Sequence, residues 1–168
     1  MLKLASRPRY ALRSMIALTK LAAISDPVSL AKVSDMTRIS RRYLEQVAIP
    51  LKNAGLIRGV SGKGGGYLLT RSPEDISVGE VIEAVIGPIN IVDCVRRPDA
   101  CLITDICSCR HVYVLLNDSI LTALNSFTIA DLAQIGEKDS DCISALTSDL
   151  GSGEKAEYFP GGSPCTSE

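Results

Sequence analysis

The chain has 168 residues, a length that suits one domain or one domain with a tail. Hydrophobic residues make up 46% and charged residues 22%, which excludes a globally disordered chain. The net charge of -1 hides an asymmetry. Residues 1–76 hold thirteen Lys and Arg against five Asp and Glu, a net charge of +8, whereas residues 77–168 have a net charge of -9. A basic half joined to an acidic half predicts a module that binds a polyanion.

The first predicted helix covers residues 9–24. Its apolar stripe has helical spacing and consists of Ala11, Met15, Leu18 and Ala22. Arg9, Arg13 and Lys20 lie on another face, which is either solvated or part of the polyanion-binding surface. The segment fits this helix better than a secretion signal or a transit peptide, and no apolar run approaches the ~20 residues of a membrane span. We therefore expect a cytoplasmic protein with no membrane partner.

Two short helices with a tight turn follow. Ser29 can cap a helix over residues 28–36, and Ser40 can cap a second one that begins at Arg41. This is the helix-turn-helix pattern, and its packed seam would consist of Leu30, Val33, Leu44 and Val47. The start of the second helix, where a recognition helix meets base edges, carries Arg41, Arg42, Tyr43 and Gln46. Pro50 should kink or end this helix, with a further turn that leads to a left-handed cap at Gly55.

A predicted hairpin comes next. Residues 56–60 and 67–70 read as strands, and a glycine-rich loop with Lys63 joins them. The loop lacks the order of a nucleotide-binding P-loop, and no helix follows it. A hairpin directly after a helix-turn-helix is a wing, whose glycines let the backbone approach a sugar-phosphate chain.

The remaining elements are helical. Ser77 and Glu80 form a capping box for a helix through about Ile86. A cysteine loop at 94–109 precedes a helix over about 111–126, whose stripe is either ordinary core or the seam for a partner helix. The stripe consists of Val112, Leu115, Leu116, Ser119, Ala123 and Leu124. A short helix begins near residue 128, and the chain from residue 136 is an acidic tail that contains Cys142 and Cys165.

The cysteine loop has the spacing Cys94-x6-Cys101-x5-Cys107-x-Cys109. Zinc sites usually pair their ligands as C-x2–4-C, a pairing that is absent here. Three thiolates along a loop can instead hold an iron–sulfur cluster, or the cysteines can form a thiol switch without metal. Neighbouring arginines (Arg96, Arg97 and Arg110) would favour thiolates. The single histidine, His111, is either a ligand or a helix-start residue, and no orienting group for nucleophilic catalysis is visible, so we expect no enzyme.

Several ordered segments resemble one known family, the Rrf2 family of bacterial winged-helix regulators, which includes the IscR, NsrR and RirA types. The resemblance runs from about Leu2 to Ala133 and includes the cysteine loop. The segments are residues 6–13, 42–46, 54–57, 64–69 and 76–82. The resemblance implies a homodimeric transcription factor, mainly α-helical with a small β-hairpin wing, whose long C-terminal helices cross at the dimer interface.

The resemblance also implies site residues. The family's cluster ligands fall on Cys94, Cys101 and Cys107, and His111 or Cys109 stands near the fourth position, which the IscR register places at Arg110. The cofactor would be a [2Fe–2S] or a [4Fe–4S] cluster. The family's base-reading positions match Ser40, Arg42, Tyr43, Glu45 and Gln46, and its wing arginine matches Ser61, with Lys63 or Arg58 as substitutes.

These observations predict an iron–sulfur-sensing regulator that binds an operator in double-stranded DNA and represses genes of iron–sulfur, iron, redox or nitrosative-stress metabolism. Residues 1–76 would form the DNA-binding region, residues 77–135 the cluster loop and dimerisation helix, and residues 136–168 the tail. The main alternative is a winged-helix regulator with a thiol or disulfide switch and no cluster. An iron–sulfur electron carrier and a DNA-architectural protein are further alternatives.

Overall fold

The computed structural model describes residues 6–135. The predictions for the acidic tail, Cys142 and Cys165 lie outside these residues. The described helices are α1 (Ser6–Ala22), α2 (Leu30–Thr37), α3 (Arg41–Asn53), α4 (Val78–Ile86), α5 (Asp93–Arg96) and α6 (Cys109–Asn125), and a helical segment covers 129–135. Two strands, β1 (Ile57–Val60) and β2 (Gly66–Leu69), form an antiparallel hairpin. Within residues 6–135, no helix combines the length and the apolarity that crossing a bilayer demands.

Helix α1 supplies the centre of the core. Its predicted stripe is confirmed at Ala11, Met15 and Leu18, which are buried, while Ala22 is half-buried. The helix packs against α2, α3 and α4, so the core continues beyond the helix-turn-helix to α4. Ile129, from the helical segment after α6, is buried in the same cluster.

The two helices of the helix-turn-helix begin at the predicted caps. Ser29 Oγ accepts a hydrogen bond from Lys32 N, and Ser40 Oγ accepts one from Tyr43 N, each at 3.4 Å. Helix α3 does not end at Pro50, although Pro50 has no N–H to donate to Gln46 O, and it continues for one further turn to Asn53. The helix ends in a Schellman motif, because Leu56 N donates to Leu51 O and Gly55, at φ +69°, occupies the left-handed position.

The wing is tied to the start of α2. Val28 forms an isolated antiparallel bridge with Tyr67, with hydrogen bonds of 3.0 Å from Val28 N to Tyr67 O and 2.8 Å in return. Gly66 is required at this junction, since a Cβ there would overlap the carbonyl of Val28. The predicted helix over 28–36 therefore starts two residues later, at Leu30, and Val28 serves the hairpin instead.

The segment between α4 and α6 is a series of short turns. Cys94 lies in α5, and two 3-10 turns follow at Pro98–Ala100 and Thr104–Ile106. Helix α6 begins at Cys109, so Cys109 and His111 lie in its first turn, and the predicted start near residue 111 was two residues late. Helix α6 packs against both α4 and α5.

Candidate nucleic-acid interface and cysteine segment

Helix α3 presents a polar face. Its capping residue Ser40 and the side chains of Arg41, Arg42 and Gln46 are exposed, while Leu44 and Val47 of the opposite face are buried. This division is what a recognition helix requires, because the buried face fixes the helix while the exposed one remains available for bases and phosphates.

A groove of about 510 Å³ separates this face from the wing. Arg41, Glu45 and Lys52 of α3 line one side, and Ser61 and Tyr67 of the wing line another. Arg41 Nε lies 3.3 Å from Glu45 Oε1, and both side chains are exposed. Glu45, one of the predicted base-reading residues, therefore has to exchange its arginine partner for a base.

The other predicted DNA-contacting residues occupy two further places. Arg58 is exposed on β1, and Lys63 is exposed in the turn between the strands. Tyr43 is half-buried and stands edge-on to Tyr10, with ring centroids 5.3 Å apart. Ser40 and Tyr43 line a separate cavity rather than the groove, so the predicted base-reading residues do not form one continuous set.

The structure adds groove residues that the sequence analysis missed. Ser29, Leu30 and Ala31, at the start of α2, line the groove together with Gly65 and Gly66. The bridge between Val28 and Tyr67 places them there. The sequence does not predict this pairing, because a single β-bridge leaves no alternating pattern of apolar and polar residues.

The thiols of the cysteine segment are half-buried or exposed. Cys94, Cys101 and Cys107 are half-buried, Cys109 is exposed, and all four are free thiols. Cys107 and His111 line the same cavity of about 310 Å³, together with Pro98, Thr104 and Arg110. Cys94 and Cys101 are not among its lining residues, so this cavity brings together two of the four predicted ligands.

The donor atoms do not converge in this arrangement. Among residues 6–135, no three His, Cys, Asp or Glu side chains form a group that could hold a metal ion. Three cysteines and one histidine are nevertheless the donor types that iron–sulfur clusters accept. The donor set therefore fits the group in kind and number, whereas its assembly requires the short turns between α5 and α6 to close.

The arginines near the cysteines differ in their partners. Arg97 forms an exposed ion pair with Asp93, with Nη2 and Oδ1 at 3.3 Å. Arg110 is half-buried on the cavity that Cys107 lines, and its Nε is buried with no hydrogen-bond partner among residues 6–135. Arg110 thus lines the cavity that Cys107 and His111 share.

Helix α6 leaves most of its apolar stripe uncovered. Val112, Leu115 and Leu116 are 56%, 68% and 47% exposed. Asn117 is instead buried, and its Oδ1 accepts a hydrogen bond of 3.2 Å from Ile91 N, which fastens the helix to the segment after α4. Within the described chain, the stripe is therefore not ordinary core.

A hydrogen-bonded junction joins α6 to the end of the hairpin. Ser77 Oγ donates to Asn125 Oδ1 at 3.1 Å, and the predicted capping box between Ser77 and Glu80 is confirmed. The carboxylate of Glu80 also accepts from Arg71 Nη2 at 2.9 Å. Partial burial raises the pKa of Glu80, but the hydrogen bonds from Arg71 and Ser77 together lower it below its usual value.

A helix-turn-helix with a hairpin wing, a polar recognition face and a groove between them defines a winged-helix DNA-binding protein. The sequence model of the Rrf2 family, described as an iron-dependent transcriptional regulator, matches residues 4–135. The chain belongs to the Rrf2 family of transcription regulators. The expected family, the expected fold class and the expectation of a regulator rather than an enzyme are thereby confirmed.

Relatives of two named kinds are among those that the chain resembles. The transcriptional regulator CymR of Bacillus subtilis is 31% identical over 140 residues, which cover 83% of this chain and 96% of CymR. The regulator IscR of Pectobacterium carotovorum is 37% identical over 131 residues, which cover 78% of this chain and 79% of IscR.

Both kinds of regulator also occur among the solved structures that the chain resembles. The structure of CymR, described as the global cysteine regulator of B. subtilis, matches with a TM-score of 0.65 and 33% identity, covering 80% of this chain and 98% of CymR. The structure of T. potens IscR matches with a TM-score of 0.63 and 30% identity, covering 82% of this chain and 90% of IscR. Both groups support the same fold, and neither by itself fixes the signal that this chain senses.

Proposed function

We propose that this chain is a homodimeric, iron–sulfur-sensing repressor that binds operator DNA in the bacterial cytoplasm. The observation that carries the proposal is the run of three half-buried thiols, Cys94, Cys101 and Cys107, directly before α6. The family description as iron-dependent and the resemblance to the IscR type support iron as the partner of these thiols.

The proposed ligand set is Cys94, Cys101, Cys107 and His111. His111 is preferred to Cys109 as the fourth ligand because it lines the same cavity as Cys107. A bound cluster would supply a group whose oxidation, nitrosylation or loss depends on the state of the cell. Arg110 lines the same cavity and would place a positive charge near these ligands.

The proposed dimer uses the exposed face of α6. A stripe of three large apolar side chains left in water is costly, and the matching helix of a second chain would cover it. Two recognition helices would then enter major grooves about one helical turn (~34–36 Å) apart.

Contacts on both sides of α4 support transmission of a conformational change from the cysteine segment to the DNA-reading face. Helix α6 begins where the cysteine segment ends and packs on α4, which itself packs on α1 and α3. The junction of Asn125, Ser77, Glu80 and Arg71 connects the far end of α6 to the end of the hairpin. Closure of residues 94–109 around a cluster would shift α6 and change the distance between the two recognition helices.

The ligand assignment is tested by metal content. Full-length protein purified without oxygen should contain iron and acid-labile sulfide in similar amounts and absorb visible light. Cys101→Ala should lose this absorption while it remains folded and dimeric. Cys165→Ala, a cysteine outside the proposed set, is the matched control and should keep it. Full iron retention by Cys101→Ala would refute the assignment.

The second candidate is a cluster-free regulator with a thiol or disulfide switch. It is favoured by the separation of the thiols, because no three metal-binding side chains converge within residues 6–135. The similarity to CymR, a cysteine regulator by its description, agrees with this candidate. It predicts a colourless protein that resists anaerobic reconstitution with iron and sulfide, and whose DNA affinity changes with thiol oxidants.

A further inference from the structure

A cavity of about 290 Å³ lies at the beginning of the recognition helix and shares no lining residue with the groove beside the wing. Three elements build it: α1 contributes Tyr10 and Arg13, the turn between α2 and α3 contributes residues 37–40, and α3 contributes Tyr43. The cavity lining contains two arginines and no acidic residue.

The two arginines, Arg13 and Arg38, are exposed and come from different elements. Two other arginines of the described chain are instead paired with carboxylates: Arg41 with Glu45, and Arg71 with Glu80. Within residues 6–135, neither Arg13 nor Arg38 makes a side-chain hydrogen bond or an ion pair. Their charges therefore converge on one cavity without an internal counter-charge.

Arg38 is held firmly in an unusual conformation. Its φ of 57° makes it a non-glycine residue in the left-handed region, which disfavours any side chain with a Cβ. Its backbone nitrogen donates to Ser34 O at 2.9 Å, and Ser34 Oγ donates to Ile39 O at 2.7 Å. The turn is thus fixed, and an arginine stands where a glycine would fit with less strain.

The remaining walls add neutral donors. Tyr10 and Tyr43 pack edge to face, which holds both rings at the cavity, and the hydroxyl of Ser40 lies on the same lining. Two guanidinium forks with hydroxyl donors around a small cavity match the charge and the oxygen geometry of a phosphodiester. The chemistry of the cavity is therefore that of a DNA-backbone contact, which positions the protein without reading sequence.

We propose that Arg13 and Arg38 bind one backbone phosphate of the DNA that α3 reads, and so set the register of the recognition helix. This proposal rests on the DNA-binding part of the proposed function and is independent of the cluster. Of the basic face of α1, the proposal gives a DNA-binding function to Arg13 alone. Arg9 lies outside the cavity, and its guanidinium contacts Ser6 Oγ of its own helix at 3.4 Å.

The test is the salt dependence of DNA binding. The double variant Arg13→Ala/Arg38→Gly removes both charges, and glycine keeps the left-handed backbone at position 38. The full chain is titrated with a random-sequence 30-base-pair duplex at several NaCl concentrations. The double variant should bind about tenfold more weakly, and the slope of log K against log salt should fall by about 0.9 for each chain bound.

Arg9→Ala, which removes a charge of the same helix outside the cavity, is the matched control and should leave the slope nearly unchanged. An unaltered slope in the double variant, or an equal loss in Arg9→Ala, would overturn the proposed phosphate contact while DNA binding stands. Absence of salt-dependent binding by the unmodified protein would overturn the proposed function together with the contact. Thermal unfolding midpoints at or above that of the unmodified protein, as expected from glycine at position 38, show that weaker binding does not come from unfolding.

Discussion

The DNA-reading region and the cysteine segment are built in opposite ways. From α1 to α4 the chain has a continuous buried core, side-chain caps on three helices and a tied hairpin. Between residues 86 and 116, no side chain that the structure describes is buried, and Leu102 and Ile106 are fully or largely exposed. The DNA-reading region is stabilised by its own packing. The cysteine segment has too little buried apolar surface to stabilise a single arrangement.

This difference suits a sensor. A segment without a core can exchange arrangements at low cost, so a bound cluster or an oxidised thiol can decide which one is populated. A region with a continuous core transmits such a change as a rigid-body displacement rather than absorbing it.

The largest expected effect is a contrast in stability. Leu44→Ala, at a position 1% exposed, should lower the free energy of unfolding by about 2–5 kcal/mol, because it leaves a cavity in the core. Leu102→Ala should change it by less than about 0.5 kcal/mol, since that side chain is fully exposed. Urea unfolding followed by circular dichroism measures both. Similar losses in the two variants would mean that the cysteine segment has a core of its own.

The next effect separates reading from positioning on the DNA. Gln46→Ala should reduce discrimination at one base position by about 1–3 kcal/mol, because the amide of Gln46 is exposed on the recognition face. Lys63→Ala in the wing should weaken all sequences equally. Binding to a library of operator variants measures the two patterns. A uniform loss for Gln46→Ala would remove it from the base-reading set.

A third effect compares two helix starts. Ser77→Ala should destabilise the protein by about 1 kcal/mol, since the Ser77 hydroxyl accepts from Glu80 N at the start of α4. Ser108→Ala is the control, because Ser108 precedes α6 without a capping hydrogen bond from its side chain. Thermal unfolding distinguishes them, and an equal shift in both would show that the α4 cap contributes no specific stability.

The smallest expected effect depends on pH. The pKa of Glu80 is lowered in the folded protein. Its contribution to the free energy of unfolding is therefore complete above the pKa of an unfolded glutamate, about 4.3, and is lost as the pH falls through the lower folded pKa. Glu80→Gln should therefore lower stability near pH 7 by less than about 1 kcal/mol, a small effect because Arg71 and Glu80 are each over two-fifths exposed. The difference from the unmodified protein should shrink below pH 4. A difference that does not depend on pH would exclude an electrostatic origin.

The DNA-reading region could be predicted closely because its signals are local. Ser29, Ser40 and Ser77 cap helices at the predicted positions, and Gly55 ends α3 as its left-handed conformation requires. The observed helix boundaries differ from the predicted ones where tertiary contacts act. Val28, for example, pairs with Tyr67 instead of entering α2. The cavity formed by Arg13 and Arg38 was not predictable, because it depends on the packing of α1 against the helix-turn-helix.

The cysteine segment was less predictable. The spacing identifies candidate ligands, but where the thiols lie depends on short turns that leave no hydrophobic period in the sequence. The structure brings Cys107 and His111 to one cavity and leaves Cys94 and Cys101 outside it. The identity of the ligands remains a prediction that metal content can test.

The central claim is that the state of the cysteine segment controls the DNA-reading region. The direct measurement is the affinity of the anaerobically purified, full-length protein for one operator duplex before and after its iron is removed, at constant salt. We expect the two affinities to differ by between about 5- and 150-fold, the usual size of coupling between two sites. Equal affinities for the iron-bound and iron-free forms would contradict it.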